Sequence, residues 1–234
     1  MKATLHHIEE EAPNISTFYF QPEHSVIYEP GQYIELTLPH DTMDNRGDRR
    51  LFALSSSPDE PFIAITNKFA SRDGSSFKRA LKQLPRGTSV EISIPRGSFT
   101  LPDDPTIPLT FIAGGIGITP FRSMAQSLVS TKQQRSIQLF YMVTHEDEIM
   151  FQPLLTRAIP ETTIVVSNPS PSWRGARDRL DGDFILQHAT VLPSTLFYIS
   201  GPESLVTALQ RDLESRDIKK DRFVVDPFTG YLAA

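Results

Sequence analysis

Phe111-Ile-Ala-Gly-Gly-Ile-Gly-Ile-Thr-Pro120 is the stretch on which the fold turns. An apolar run passes into three glycines within four positions, and Thr119-Pro120 then has the form of a helix start, proline being suited to the first helical turn. Glycines let backbone approach a diphosphate, and the following helix would supply N–H groups and a positive dipole end. The spacing Gly-Gly-x-Gly differs from the dinucleotide fingerprint Gly-x-Gly-x-x-Gly, and the same turn also serves as a plain tight connection between strand and helix.

Toward the C-terminus, apolar strands alternate with amphipathic helices. Strands are expected over Leu109–Ala113, Ile137–Val143, Thr163–Ser167, Leu196–Ser200 and Arg222–Val225. Helices are expected from Thr119, from about Glu148, near Asp183–His188 and from Pro202 to about Arg216. Such alternation implies a parallel sheet with helices on both faces. Toward the N-terminus, Leu101-Pro-Asp-Asp-Pro-Thr-Ile-Pro108 concentrates three prolines and two acids, which suits a connection. It separates a domain over residues 1–102 from one over 103–234. The first hundred residues read as short strands, Ile15–Phe20, Gly31–Leu38, Phe62–Thr66, Thr88–Ile94 and Ser98–Leu101, at the spacing of a small barrel. One helix interrupts them, with Ser75 or Ser76 as N-cap before Phe77–Leu84 and Pro85-Arg-Gly87 as its stop.

Composition narrows the chemistry. The 234 residues are 39% apolar and include no cysteine, which excludes disulfides, thiolate zinc sites, a cysteine nucleophile and a cysteine-ligated iron–sulfur cluster on this chain. A formal charge of −5, with neither half basic, argues against general nucleic-acid binding. His6 and His7 are adjacent and the other histidines scattered, without an i,i+4 pair, so no metal site is expected. An acidic N-terminal segment and the lack of any apolar run of about 20 residues lead to the expectation of a cytoplasmic protein with no membrane span.

Further segments carry chemistry. Arg50-Leu-Phe-Ala-Leu-Ser-Ser-Ser-Pro58 offers a cation and an aromatic on a strand, suited to an anionic phosphate beside a planar ring, although an ordinary strand and Ser-Pro turn read the same way. Gly74-Ser-Ser-Phe77 opens the interrupting helix, where hydroxyls and N–H groups suit a second phosphate or simple capping. Ile94-Pro-Arg-Gly-Ser-Phe99 follows, then the glycine-rich turn, then Phe197-Tyr-Ile-Ser-Gly-Pro-Glu203 and Phe228-Thr-Gly-Tyr231.

Taken in order, these motifs resemble the ferredoxin–NADP reductase superfamily over nearly the whole chain. The resemblance implies an N-terminal antiparallel Greek-key β-barrel, interrupted by one helix, that binds flavin, and a C-terminal Rossmann-like α/β domain that binds NAD(P). In such a protein Arg50 pairs with flavin phosphate, Phe52 packs on the isoalloxazine, and Leu51, Ala53, Leu54 and Ser55 complete that strand of the site. Thr66 and Lys68 approach the adenine half, and Gly74, Ser75 and Ser76 the diphosphate. Gly114, Gly115, Gly117, Thr119 and Pro120 receive the nicotinamide nucleotide, with Ser200, Gly201 and Pro202 beside the nicotinamide. Phe228 or Tyr231 gates the flavin face, or the two rings belong to a packed tail stabilised by aromatic burial. Ser55, Thr119 and Ser200 are then the positioning groups around the reacting rings.

The implied activity is hydride transfer from NAD(P)H to FAD, preferred over FMN, and onward to an acceptor such as a ferredoxin or flavodoxin. The alternative is a flavin-binding electron-transfer or regulatory subunit without its own NAD(P)H turnover. This chain departs from the family pattern in three places: Phe52-Ala53 replaces Tyr-Ser or Tyr-Thr, Ser200 replaces the cysteine before Gly-Pro, and Arg72 replaces a glycine before the helix-capping serine. Ser167-Asn168, where NADPH users often carry Ser-Arg, and the acidic Glu146-Asp-Glu148 favour NADH, while Arg174, Arg177 and Arg179 lie within reach of a phosphate in sequence.

Overall fold

The computed structural model describes residues 1–69, 74–177 and 179–228. The N-terminal part is built from β1 (Lys2–Ala12), β2 (Ile15–Pro22), β3 (Tyr33–Thr37), β4 (Arg49–Ala53), β5 (Ile63–Lys68) and β6 (Ser89–Ile92), with α1 (Ser76–Lys82) between the last two. These strands form one antiparallel sheet in the order β4-β3-β6-β1-β2-β5. A bridge between Leu54 and Ile65 joins the two outer strands, so the sheet curls back on itself. Phe18, Phe20, Ile34, Leu36, Leu54, Ile65 and Phe77 fill its interior. Ser75 caps α1, its Oγ accepting from the Lys78 N–H at 3.2 Å.

Two departures from the sequence expectation stand out here. Residues 2–12 form the longest strand although no strand is expected there, because Ala3 and Leu5 supply the inner positions while Glu9 and Glu11 lie on the outer face. On that face Glu9 accepts from the Tyr19 hydroxyl at 2.9 Å and Glu11 from Thr17 at 2.7 Å. Conversely, Ser98–Leu101 is not a strand. Phe99 turns into the second core against Phe121 and Tyr198, at ring-centroid distances of 5.5 and 5.3 Å, and the Tyr198 hydroxyl donates to the Thr100 carbonyl at 2.7 Å.

The C-terminal part contains β7 (Leu109–Gly114), α2 (Thr119–Thr131), β8 (Ile137–Val143), α3 (Gln152–Ala158), β9 (Glu161–Val166), β10 (Ala176–Arg177), α4 (Gly182–His188), β11 (Leu196–Pro202), α5 (Glu203–Glu214) and β12 (Phe223–Phe228). All pairings in this sheet are parallel, in the order β10-β9-β8-β7-β11-β12. Alternate strand residues face opposite cores: Phe111, Leu139, Tyr141 and Tyr198 pack with Phe121, Met124 and Leu155 of α2 and α3. Ile112, Phe140, Phe197 and Ile199 pack with Ile185, Val206 and Leu209 of α4 and α5. Full burial of a side chain such as Phe121 contributes about 2–3 kcal/mol. The helix expected from about Glu148 begins instead at Gln152, because Pro153 fits only a first helical turn and Phe151 ahead of it is left-handed at φ 58°. No helix among the described residues is long and apolar enough to cross a membrane.

Chain order reverses at the middle of this sheet. From β7 the chain runs outward through β8, β9 and β10, then returns to the other side of β7 as β11. The C-terminal ends of β7 and β11 are therefore a topological switch point, where open α/β sheets form the crevice that binds ligands.

Candidate functional site

The crevice is lined by the glycine-rich turn and the end of β11. Gly115–Ile118 forms a tight 3₁₀ turn, and α2 starts at Thr119 with Pro120 in its first turn. The glycines divide their work. A Cβ on Gly117 would lie 2.2 Å from the Ser200 carbonyl oxygen, so this glycine is required for the turn to pack on β11. Gly115, at φ +52°, has no atom of the described residues within 4 Å of where its Cβ would stand. Thr119 is buried and its hydroxyl donates to the Ile116 carbonyl at 3.0 Å. Ser200 is buried, with its hydroxyl donating to Asp226 at 3.3 Å, and Gly201 and Pro202 follow it at the strand end. Phe228 pairs with Pro202 in the β11–β12 register and packs on the α2-side core. Tyr231 and Arg72 lie outside the described residues.

On the barrel side, Arg50 lies on β4 with its guanidinium 5.1 Å from the Phe77 ring centroid, and one nitrogen donates to the Arg46 carbonyl at 2.8 Å. Its Nη2 is buried and has no hydrogen-bond partner among the described residues. Burial lowers its pKa, and Lys78 is pushed down to about 8, first by burial and then by the charges of Arg50 and Arg46. A buried unsatisfied guanidinium nitrogen beside crowded cations fits an anionic phosphate. Phe52 is half-buried with its ring 6.0 Å from Phe77, Leu51 is exposed, and Ala53 is buried.

Other expected flavin contacts are engaged within the chain. Leu54 belongs to the barrel core. Ser55, Thr66 and Thr17 form a buried row of hydroxyls, linked at 3.0 and 2.8 Å, that ends at 2.7 Å on the Glu11 carboxylate, whose pKa burial raises. Lys68 pairs with Glu148 at 2.7 Å across the two sheets. Gly74 is half-buried ahead of the α1 cap. The Ser76 N–H donates to Asp44 at 2.9 Å, while His40 and the Asp44 N–H both meet the Ser76 hydroxyl at 2.9 Å. The loop before β4 therefore covers the α1 start with a carboxylate, where the sequence resemblance puts a diphosphate.

The two halves meet at adjacent residues. Arg122 on α2 donates to the Ser55 carbonyl at 2.9 Å and grips Glu60 with both terminal nitrogens, one contact being 2.8 Å. Ser123 donates to the Ser56 carbonyl. The strand that carries Arg50 and Phe52 is thus joined to the helix that leaves the glycine-rich turn.

Residues 111–211 match the oxidoreductase NAD-binding domain family. Over 97% of its length the chain superposes on the FAD/NAD-binding domain of a nitric oxide dioxygenase from Vibrio cholerae, covering 98% of that domain at TM-score 0.79 and 18% identity. The chain has the fold of the ferredoxin–NADP reductase superfamily. The cytochrome b5 reductase domain of nitrate reductase from Ulva prolifera shares this superfamily fold at TM-score 0.82 and 19% identity, with 96% of each chain covered. Among curated relatives, Flavohemoprotein A of Dictyostelium discoideum is 26% identical over 233 residues, 94% of this chain and 58% of that protein. The reductase component of phenol 2-monooxygenase from Pseudomonas sp. (strain CF600) is 28% identical, over 91% of this chain and 62% of that protein. The chain therefore spans a little over half the length of these relatives.

Sequence reading missed three participants. Asp226 is half-buried, and burial pushes its carboxyl up to about 6 against the opposing effect of the Ser200 hydrogen bond. A single acid inside the run Phe223-Val-Val-Asp-Pro-Phe228 was the available signal. Arg122 and Glu60 are 62 residues apart and carry no local signature.

Proposed function

We propose that this chain is an NAD(P)H-dependent flavoprotein reductase that moves hydride from a nicotinamide nucleotide, NADH in preference, to bound FAD and passes the electrons to an acceptor protein. The observation that carries this reading is the junction of β4 with the first turns of α2 through Ser55 and Arg122, which brings a phosphate-suited strand against the switch-point crevice. When bound, the flavin supplies hydride acceptance from nicotinamide and stepwise electron release. The chain's own residues bind, orient and exclude water. Arg50 would hold flavin phosphate through the nitrogen that has no partner among the described residues, and Phe52 would cover part of the ring. Gly115 leaves room for the nucleotide, and Ser200 and Thr119 border the nicotinamide position. Asp226 would set the charge beside that position.

Preference for NADH is supported at the ends of β8 and β9. A shallow hollow of about 400 Å³ there is lined by His145, Glu146, Asp147, Asn168, Pro169 and Ser170. The Ser170 N–H donates to Glu146 at 3.1 Å, and hydrogen bonds from Ser170 lower the Glu146 pKa, so this carboxylate is charged at neutral pH. An anion there is compatible with a ribose hydroxyl and repels a 2′-phosphate. An acceptor protein is favoured because relatives include reductase components of monooxygenases; a ferredoxin or flavodoxin fits the same role. Purification decides the main point: the visible spectrum and released flavin are recorded, then the protein is mixed anaerobically with NADH and NADPH in turn. Bleaching faster with NADH is expected. A bound flavin that neither nucleotide bleaches would leave a flavin-binding subunit without turnover, the reading to which Ala53 lends support.

A further inference from the structure

We propose that Arg122 is a positioning residue that sets the spacing between the flavin strand and the nicotinamide turn, an inference that rests on the function proposed above. Its guanidinium makes three contacts with the barrel side: the Ser55 carbonyl at 2.9 Å and both oxygens of Glu60. Glu60 is itself fixed by the Ser57 N–H at 2.6 Å, and the Phe151 ring lies 5.8 Å from the guanidinium carbon. Both charged side chains are largely withdrawn from water, at 13% and 22% exposure, so solvent screens the pair little. Ser55 follows Ala53 by two residues, and Arg122 follows Thr119 by three, on the same side of the helix. From β4 to the glycine-rich turn, the path crosses one side chain.

A packing role alone would not need this chemistry. Apolar residues of equal volume usually stabilise a buried contact as well as an ion pair does. What a planar fork adds is geometry, because it fixes direction as well as distance. Lys68 on Glu148, which also joins the two parts, acts through a single flexible point charge, with the lysine 36% exposed. Ser123, bonded to the Ser56 carbonyl, reinforces the Arg122 link one residue on. Hydride transfer is steep in distance, and displacement by about 1 Å costs on the order of 100-fold in rate.

The lack of cysteine makes the test clean, since Glu91→Cys on β6 and Arg211→Cys on α5 would be the only thiols for spin labels. In the flavin-loaded chain, Arg122→Ala should at least double the width of the label-to-label distance distribution. It should slow anaerobic flavin reduction by NADH at least about tenfold while the nucleotide dissociation constant changes less than about threefold. Arg122→Lys keeps the charge and guards against a folding defect; it should melt near the wild type yet remain slower in reduction. An unchanged distance distribution, or an unchanged rate, in both variants overturns the proposal. So does loss of nucleotide affinity in step with rate, which would make Arg122 a ligand. If the wild type itself is not reduced by NADH or NADPH, the function fails, while the distance measurement still decides whether Arg122 holds the two sheets in register.

Discussion

Ser200, near the end of β11, donates its hydroxyl hydrogen to Asp226 on the neighbouring β12, 3.3 Å away and directly opposite in the parallel register. Burial outweighs this hydrogen bond and raises the Asp226 carboxyl from 3.8 to about 6. A carboxyl whose folded pKa lies above its unfolded value stabilises the fold fully below about pH 4, and that contribution is lost as pH rises through 6. Ionised Asp226 should therefore cost about 1–2 kcal/mol at pH 7, after allowance for its partial exposure. The melting temperature of Asp226→Asn, relative to wild type, should climb between pH 4 and 7. A constant difference across that range would remove this account.

Lys78 and Arg50 should make flavin binding sensitive to alkaline pH. With its pKa pushed down to about 8, Lys78 is half neutral near that pH in the free chain. A phosphate bound nearby favours the ammonium, so binding takes up a proton, and affinity should hold below pH 8 and fall toward tenfold per unit above it. Calorimetry at pH 8.5 in two buffers of different ionisation enthalpy reads the uptake directly. It should vanish in Lys78→Gln, and identical heats in both buffers for wild type would refute the coupling.

The two glycines of the turn should respond to different degrees. Gly117→Ala drives a methyl against the Ser200 carbonyl and should cost about 2 kcal/mol or more in urea denaturation. Gly115→Ala meets no atom of the described residues but keeps a left-handed backbone, and its cost should stay near about 1 kcal/mol. Its larger effect should fall on nucleotide affinity. Equal losses of stability would mean that packing against β11 does not distinguish them.

Nucleotide preference should be adjustable from one exposed position. Asn168 stands on the rim of the hollow that contains Glu146. Asn168→Arg supplies a cation for a 2′-phosphate and should move the NADPH-to-NADH ratio of kcat/KM by about tenfold toward NADPH. Steady-state kinetics with both nucleotides measure it, and an unmoved ratio would put the adenosine elsewhere.

Sequence by itself determined the two layers and their order: apolar strands alternating with amphipathic helices after Leu109, β-rich segments before Leu101, the serine cap at Ser75 and the glycine-rich turn that marks the crevice. Each is a local property, set by spacing along the chain and by the backbone preferences of glycine, proline and serine. The first strand escaped because its inner face is only Ala3 and Leu5 among polar neighbours, and its partners lie on β2 and β6. Phe99 looked like a strand residue until the second core proved to be its neighbour. Tertiary structure alone decided which polar groups remain available. It closed the α1 start with Asp44, tied Ser55 and Thr66 into a row of hydroxyls, left one nitrogen of Arg50 without a partner among the described residues, and buried Asp226 beside Ser200. Desolvation and hydrogen-bond geometry depend on groups brought together from distant parts of the chain, as Glu60 and Arg122 are, and no local pattern encodes such a meeting.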